Sequence, residues 1–324
     1  MQSTARGRIV VLGTGGTIAG TAADASDNVG YRAGQIGVAE LVAAIPALAA
    51  LPGIDLEAEQ VAQLDSKDMD FATWQLLAQR VAHHLARAEV RGIVVTHGTD
   101  TLEETAYFLQ RVLAPIKPVV LTGAMRPATA LLADGPQNLL DAVALARHAA
   151  AHGVLVAMAG RVHAADRVRK LHPYRLDAFG SGAAGPLGVI EEGRASLHCA
   201  STAAPGFGLT VIERACVQWP WVEIVVSDAG ADGAVVRALC AAGVRGIVVE
   251  GTGNGSLHHA LEAALHEAAS QGVGVLRSTR CSDGALVGSA ASDAPAGPQA
   301  LPSAGALTPV QARIELLLSL LAKG

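Results

Sequence analysis

The sequence predicts an α/β protein of two domains. A larger amino-terminal domain is built on a doubly wound, mainly parallel sheet, and a smaller carboxyl-terminal α/β domain follows. Three observations lead there. Short β-branched runs alternate with longer stretches of helical period, the pattern of a parallel sheet covered on both faces. The 324 residues are enough for one or two domains with substantial cores. From Cys199 to Pro220 the text CASTAAPGFGLTVIERACVQWP has two prolines, two glycines and no clean period, so it reads as a linker between residues 1–198 and 221–324.

Taken in order, Arg8–Leu12 is an apolar strand that empties into the glycine-rich turn GTGGTIAG, Gly13–Gly20. Val38–Leu51 and Ala72–Ala88 have helical period, and in the second Trp74, Leu77, Val81 and Leu85 share one core face. Gly92–Val95 is a buried strand ending in THGTDT, and Leu102–Leu113 is the helix after it, with Tyr107 in its core. Strand Pro118–Thr122, helix Asn138–His152 and strand Val154–Met158 complete this alternation. Beyond the linker come strand Val222–Ser227, helix Ala234–Ala242, strand Gly246–Glu250, helix Ser256–Gln271 and strand Val273–Arg277. The string RGIVV occurs at both Arg91–Val95 and Arg245–Val249, which suggests a shared strand-to-loop design. In such folds ligands bind outside the carboxyl ends of the strands, where Thr17, Thr99 and Asn254 would sit.

Composition narrows the function classes. With 51% hydrophobic and 16% charged residues the chain is not disordered, and much of its surface is expected to be covered by other subunits or by small apolar residues. A net charge of −5 offers no basic field for nucleic acid. No apolar run approaches the ~18 residues that span a bilayer, and the longest, near Leu41–Leu51, is broken by Pro46. Cys199, Cys216, Cys240 and Cys281 form no CxxC pair, which points to a reducing compartment without disulfides or a zinc ribbon. The start MQSTARGRIVVLG enters a strand before a signal peptide is complete, so the expected location is cytoplasmic.

The glycine turn is no nucleotide fingerprint. Ile18 stands where the third glycine of GxGxxG belongs, and no P-loop lysine is present. Thr17 then either caps the next segment or acts as a nucleophile. In THGTDT, Thr99 or Asp100 caps the following helix, whose Glu103 and Glu104 suit its dipole, or belongs to a site at that helix end. His97 has no second histidine at metal spacing, so no metal is assigned. Of 24 basic residues only Lys67, Lys117, Lys170 and Lys323 are lysines. Lys170, beside Arg167 and Arg169, is either a solvated member of the RVRK run or an amine kept because a proton acceptor must be able to lose its proton. Tyr31 lies in the polar stretch NVGYRAG, where a ring has no evident core face, as in a loop that closes over a site.

GTGGTIAG and THGTDTLEETAYFL, together with GAMRP (Gly123–Pro127), ADGPQNL (Ala133–Leu139) and GTGNGS, resemble the bacterial-type L-asparaginases and glutaminase-asparaginases over nearly the whole chain. The resemblance implies hydrolysis of the side-chain amide of L-asparagine to aspartate and ammonia, without cofactor. It implies Thr17 as nucleophile, Tyr31 as its assistant, and Thr99, Asp100 and Lys170 as a second catalytic group. Covalent transfer through Thr17 and direct water attack with Thr99, Asp100 and Lys170 as the working group are both open to these residues. It further implies substrate contacts at Gly16, Ser66, Lys67, Gly98, Thr99, Asp100 and Ala124. The implied assembly is a homotetramer, a dimer of dimers, in which Asn254 reaches the neighbour's site. A non-catalytic amino-acid-binding or scaffold protein on the same fold is the alternative; its mark would be loss of a threonine or of Lys170, and all are present. Two departures bear on selectivity. Lys67 stands where secreted members usually have glutamine, and the region Cys281–Gly297 offers Asp283 and Asp293 but no glutamate. Asparagine is therefore expected to be favoured over glutamine.

Overall fold

Ile9, Val10, Val11 and Leu12 are all fully buried, as a central strand between two helical layers requires. They belong to β1 (Gly7–Gly15). The computed structural model describes residues 7–199, 204–288 and 300–324. It divides into two compact units between Leu209 and Thr210.

The first unit continues with α1 (Val38–Ala43), α2 (Pro46–Ala49), β2 (Ile54–Leu64), α3 (Phe71–Leu85), β3 (Val90–Thr96), α4 (Leu102–Leu113), β4 (Val119–Thr122), α5 (Gly135–Ala146) and β5 (Val154–Met158). Then come β6 (Arg161–Ala164), β7 (Arg169–Lys170), β8 (Phe179–Gly180), β9 (Gly188–Glu191) and β10 (Arg194–Leu197). Its main sheet runs β10-β9-β6-β5-β4-β3-β1-β2. The pairs from β2 to β5 are parallel, and those from β5 to β10 are antiparallel. Alternate residues feed opposite faces: Ile9, Val11, Val94 and Val120 join Val38, Leu48, Leu139 and Val143 in one core. On the helical layer formed by α3 and α4, the Trp74 ring stacks on Phe108 at 4.8 Å and its Nε1 donates to Thr105 Oγ1 at 2.8 Å.

The second unit has β11 (Val222–Val226), α6 (Ala234–Ala241), β12 (Gly246–Gly251), α7 (His259–Ser270), β13 (Gly274–Thr279) and α8 (Pro309–Lys323). Its parallel sheet runs β11-β12-β13, with Val225, Ile247, Val249 and Val275 packed against Val236, Leu261 and Leu265. Both RGIVV strings are interior strands, β3 and β12, each followed by a loop rather than a helix. The expected α/β class, with its larger mainly parallel sheet and smaller second sheet, is what the structure has.

Several elements differ from expectation. The expected helix Val38–Leu51 is two helices, because Pro46 cannot continue α1 and restarts as the first residue of α2. The expected helix Asn138–His152 starts earlier, at Gly135 with Pro136 in its first turn, and ends at Ala146. β2 is an edge strand whose text, IDLEAEQVAQL, is too polar to read as one. Its carboxylates are answered from neighbouring elements: Glu57 by Arg8 and Arg87, Glu59 by Arg80 and His84. Bidentate bonding to Arg80 pushes the Glu59 carboxyl down to about 2. The antiparallel strands β6 to β10 and the helix α8 are the other elements absent from the expectation. Of the 199–220 stretch, residues 204–220 are described. They contain two 3₁₀ turns, Leu209–Ile212 and Cys216–Gln218, and Phe207 N and Gly208 N donate to Arg111 O and Val112 O at the end of α4.

Candidate active site

Three segments at the carboxyl ends of β1, β2 and β3 lie against one another, and small residues let them. Gly16 adopts φ 80°, ψ −171°, a region open in practice only to glycine, and a methyl group there would overlap the main chain of Gly98. On Gly98 a methyl would fall 2.5 Å from Ser66 Oγ. The main chain of Gly98 is thus pressed between the Ser66 side chain and the main chain of Gly16, which brings the loops carrying Thr17 and Thr99 into one locality.

Thr17 opens the 3₁₀ turn Thr17–Ala19, and Gly16 holds the cap position without any side-chain cap. The capping reading of Thr17 thus fails: its buried hydroxyl shares a 2.7 Å hydrogen bond with Tyr31 Oη. The polar loop containing Tyr31 folds back through paired bonds between Thr21 and Arg32, both 2.9 Å, and through Gln35 N and Ile36 N, which donate to Ala19 O. That return carries the ring to Thr17.

Helix α4 is capped by Thr101, again without a side-chain cap, so neither Thr99 nor Asp100 serves as one. The reason is competition: Thr101 Oγ1 donates to Ser66 O at 2.8 Å, and Thr99 Oγ1 receives Lys170 Nζ at 2.9 Å. Lys170 Nζ also donates to Asp100 Oδ1 at 2.5 Å. The lysine side chain is only 16% exposed, against 56% for Asp100, so Lys170 is not the solvated lysine of a charge run. Ser66 is buried, and its Oγ accepts Asp100 N at 3.2 Å. His97 is fully buried, its Nδ1–H donates to Gly98 O at 2.7 Å, and burial pushes its pKa down to about 4. It is a neutral ring that braces the loop.

Ala124 is buried in a loop fixed by Asp134, whose carboxylate accepts Met125 N at 2.9 Å and Arg126 N at 3.0 Å. Asn138 Nδ2 donates to Gly123 O at 3.0 Å, while Ala159 N donates to Asn138 Oδ1 at 3.1 Å. This explains the pairing of GAMRP with ADGPQNL: one motif supplies the loop and the other its pins. Sequence reasoning missed Asp134 and Asn138 as positioning groups; their signal was a carboxylate and an amide four residues apart at a helix start. The ammonium of Lys67 is held by Asp68 at 2.5 Å and Asp65 at 3.4 Å, and the Asp68 bond raises its pKa. Asn254 lies in the second unit, exchanging bonds with Val287: Nδ2 donates to Val287 O at 3.0 Å and Val287 N to Oδ1 at 2.8 Å. Asp283 is exposed there, and Asp293 lies outside the described residues.

Chemically, the loops after β1 and β3 place two hydroxyls against groups that can carry a proton: Thr17 against Tyr31, and Thr99 against Lys170, which also bonds Asp100. Among known proteins, the family described as Asparaginase, N-terminal, matches residues 8–202, and the Glutaminase/Asparaginase C-terminal domain matches residues 221–324. The chain is 38% identical to L-asparaginase 2 of Escherichia coli (strain K12), covering 96% of this chain and 88% of that protein. It is also 38% identical to the glutaminase-asparaginase of Pseudomonas fluorescens biotype A, over 86% of this chain and 77% of that one. A crystal structure of a probable cytoplasmic L-asparaginase from Campylobacter jejuni superposes with a TM-score of 0.88 at 39% identity, covering 97% of this chain and 95% of that one. With both family domains matched in order and relatives aligned over most of its length, the chain belongs to the asparaginase family.

Proposed function

We propose that this protein is an L-asparaginase that hydrolyses the side-chain amide of L-asparagine to L-aspartate and ammonia, with Thr17 as nucleophile and glutamine as the weaker substrate. The observation that carries the reading is the 2.7 Å bond between Thr17 and Tyr31 beside a second hydroxyl, Thr99, bonded to Lys170. A threonine hydroxyl is a poor nucleophile at neutral pH and needs a partner to take its proton. Thr17 Oγ1 bonds to the amide carbon, its proton passes through Tyr31 to the leaving nitrogen, and the C–N bond breaks to release ammonia. Water then attacks the ester, giving a proton to the Lys170 amine beside Thr99; that proton passes to Thr17 Oγ1 as the acyl C–O bond breaks, and aspartate leaves with Thr17 restored.

Gly16, Ser66, Lys67, Gly98, Thr99, Asp100 and Ala124 are assigned to substrate contact, and Asn254 to the site of a neighbouring subunit. The division into residues 1–198, a linker 199–220 and 221–324 is carried as part of this reading. So are a homotetrameric dimer of dimers and a cytoplasmic location. Exposed apolar side chains at Leu131, Leu132 and Tyr174 support assembly, and the name of the Campylobacter relative supports the location. Light scattering on the purified protein tests assembly, with a monomeric mass contradicting it, and cell fractionation tests location, with recovery in the periplasm contradicting it.

The functional test is ammonia release from asparagine and glutamine by wild type, Thr99→Ala and Lys170→Arg. Arginine keeps the charge but does not act as a base at neutral pH, so retained activity in Lys170→Arg would remove the lysine from proton transfer. Wild-type kcat/KM is expected to favour asparagine by at least about tenfold, about 1.4 kcal/mol of transition-state discrimination. Equal efficiencies on the two amides would overturn the assignment.

A further inference from the structure

Lys170 is held at both ends by one rigid piece of chain. Its Nζ reaches Thr99 and Asp100 at the end of β3. Its backbone N donates at 2.7 Å to Oε2 of Glu103, in the first turn of α4, three residues past Asp100. The main sheet does not hold this lysine. Its own strand, β7, is two residues long and pairs only with β8, Arg169 opposite Gly180 and Lys170 opposite Phe179. A long side chain on so short a ribbon has many conformations, and anchoring both ends removes most of them before substrate arrives.

We propose that Glu103 is a positioning residue for the reaction: its carboxyl clamps the main chain of Lys170 so that the side-chain amine meets Thr99 and Asp100. The inference rests on the reading of Lys170 as a working group of the site. The surroundings of Glu103 favour a clamp over an ordinary first-turn carboxylate interacting with the helix dipole. Burial pushes the carboxyl up to about 7, the bond from the Lys170 N–H opposes that, Glu104 adds to it, and the charges of Arg169 and Lys170 also oppose it. A desolvated acceptor keeps its hydrogen bond because water does not compete for it. Glutamine keeps an acceptor oxygen at the same reach, and methionine keeps the length without one.

The experiment compares Glu103→Gln, Glu103→Met and Lys170→Met with wild type, reading kcat and KM for asparagine separately and confirming the fold by circular dichroism. The clamp predicts that Glu103→Met lowers kcat by about 10- to 100-fold while KM stays within about threefold. It also predicts that Glu103→Gln restores kcat to within about threefold of wild type. Wild-type kcat in Glu103→Met overturns it, and so does an equal loss in both Glu103 variants, which would assign the effect to charge instead of the hydrogen bond. Full activity in Lys170→Met overturns the reading of the site itself, whereas an inactive Lys170→Met beside a fully active Glu103→Met overturns the clamp alone. Should Glu103→Met not fold, amide hydrogen exchange on the wild type decides: the Lys170 amide is expected to be protected, and exchange at the rate of an unbonded amide contradicts the proposal.

Discussion

Thr17 and Tyr31 show how a residue's partner decides its role. A threonine at the start of a turn caps it unless something else takes the hydroxyl, and here Tyr31 Oη does, at 2.7 Å. Tyr31→Phe removes that oxygen and keeps the ring, so kcat for asparagine is expected to fall about 100-fold with little change in KM. Steady-state kinetics of the variant check this, and wild-type kcat would mean the pair is idle. Much at this scale was legible beforehand. Thr17 and Thr99 lie in glycine turns after apolar runs, Tyr31 is a ring in a polar loop, and Lys170 is one of few lysines. Glu103 was not legible, because its partner lies 67 positions away and an acidic residue in a first turn already has a local explanation in the helix dipole.

At the scale of elements, strand ends bring the motifs together and small residues set how close they come. Gly16→Ala forces a methyl into Gly98 and a backbone conformation that alanine avoids, which is expected to cost about 1–3 kcal/mol and to show as a lowered urea midpoint. The Ala124 loop is pinned by Asp134 as well as by Asn138. Asp134→Ala leaves the Met125 and Arg126 N–H groups without their acceptor, an expected loss of about 2 kcal/mol measurable by thermal unfolding. The central strands were readable because burial on both faces makes them continuously apolar. The edge strand β2 was not, since its alternating carboxylates make sense only beside Arg8 of β1, Arg80 of α3 and Arg87 just past that helix.

Across the whole molecule, the alternation of strand and helix that predicted the fold class survives in both units, while the antiparallel extension β6-β9-β10 rests on strands of four residues, too short to show a readable period. Acid stability follows from the buried groups. His97 and His163 are pushed down to about 4 by burial, so between their ordinary 6.5 and about 4 the unfolded chain binds protons that the folded one refuses, and stability is lost as pH falls. Glu103, raised to about 7, acts in the opposite sense: its contribution is present below 4.5 and is lost as pH rises through 7. Each histidine contributes a loss of up to about 3 kcal/mol on acidification, offset in part by Glu103 and by Asp141 and Asp166, whose carboxyls burial also raises. Urea midpoints at pH 7 and pH 5 are expected to fall for wild type and to fall less for His163→Gln; equal falls would remove that histidine from the account. The central claim concerns Thr17, and its most direct test is the turnover of L-asparagine by Thr17→Ala, followed as ammonia release in protein whose thermal unfolding matches wild type. The account predicts a kcat lowered by about 1,000-fold or more, the scale of a lost nucleophile. Turnover within a few fold of wild type would contradict it.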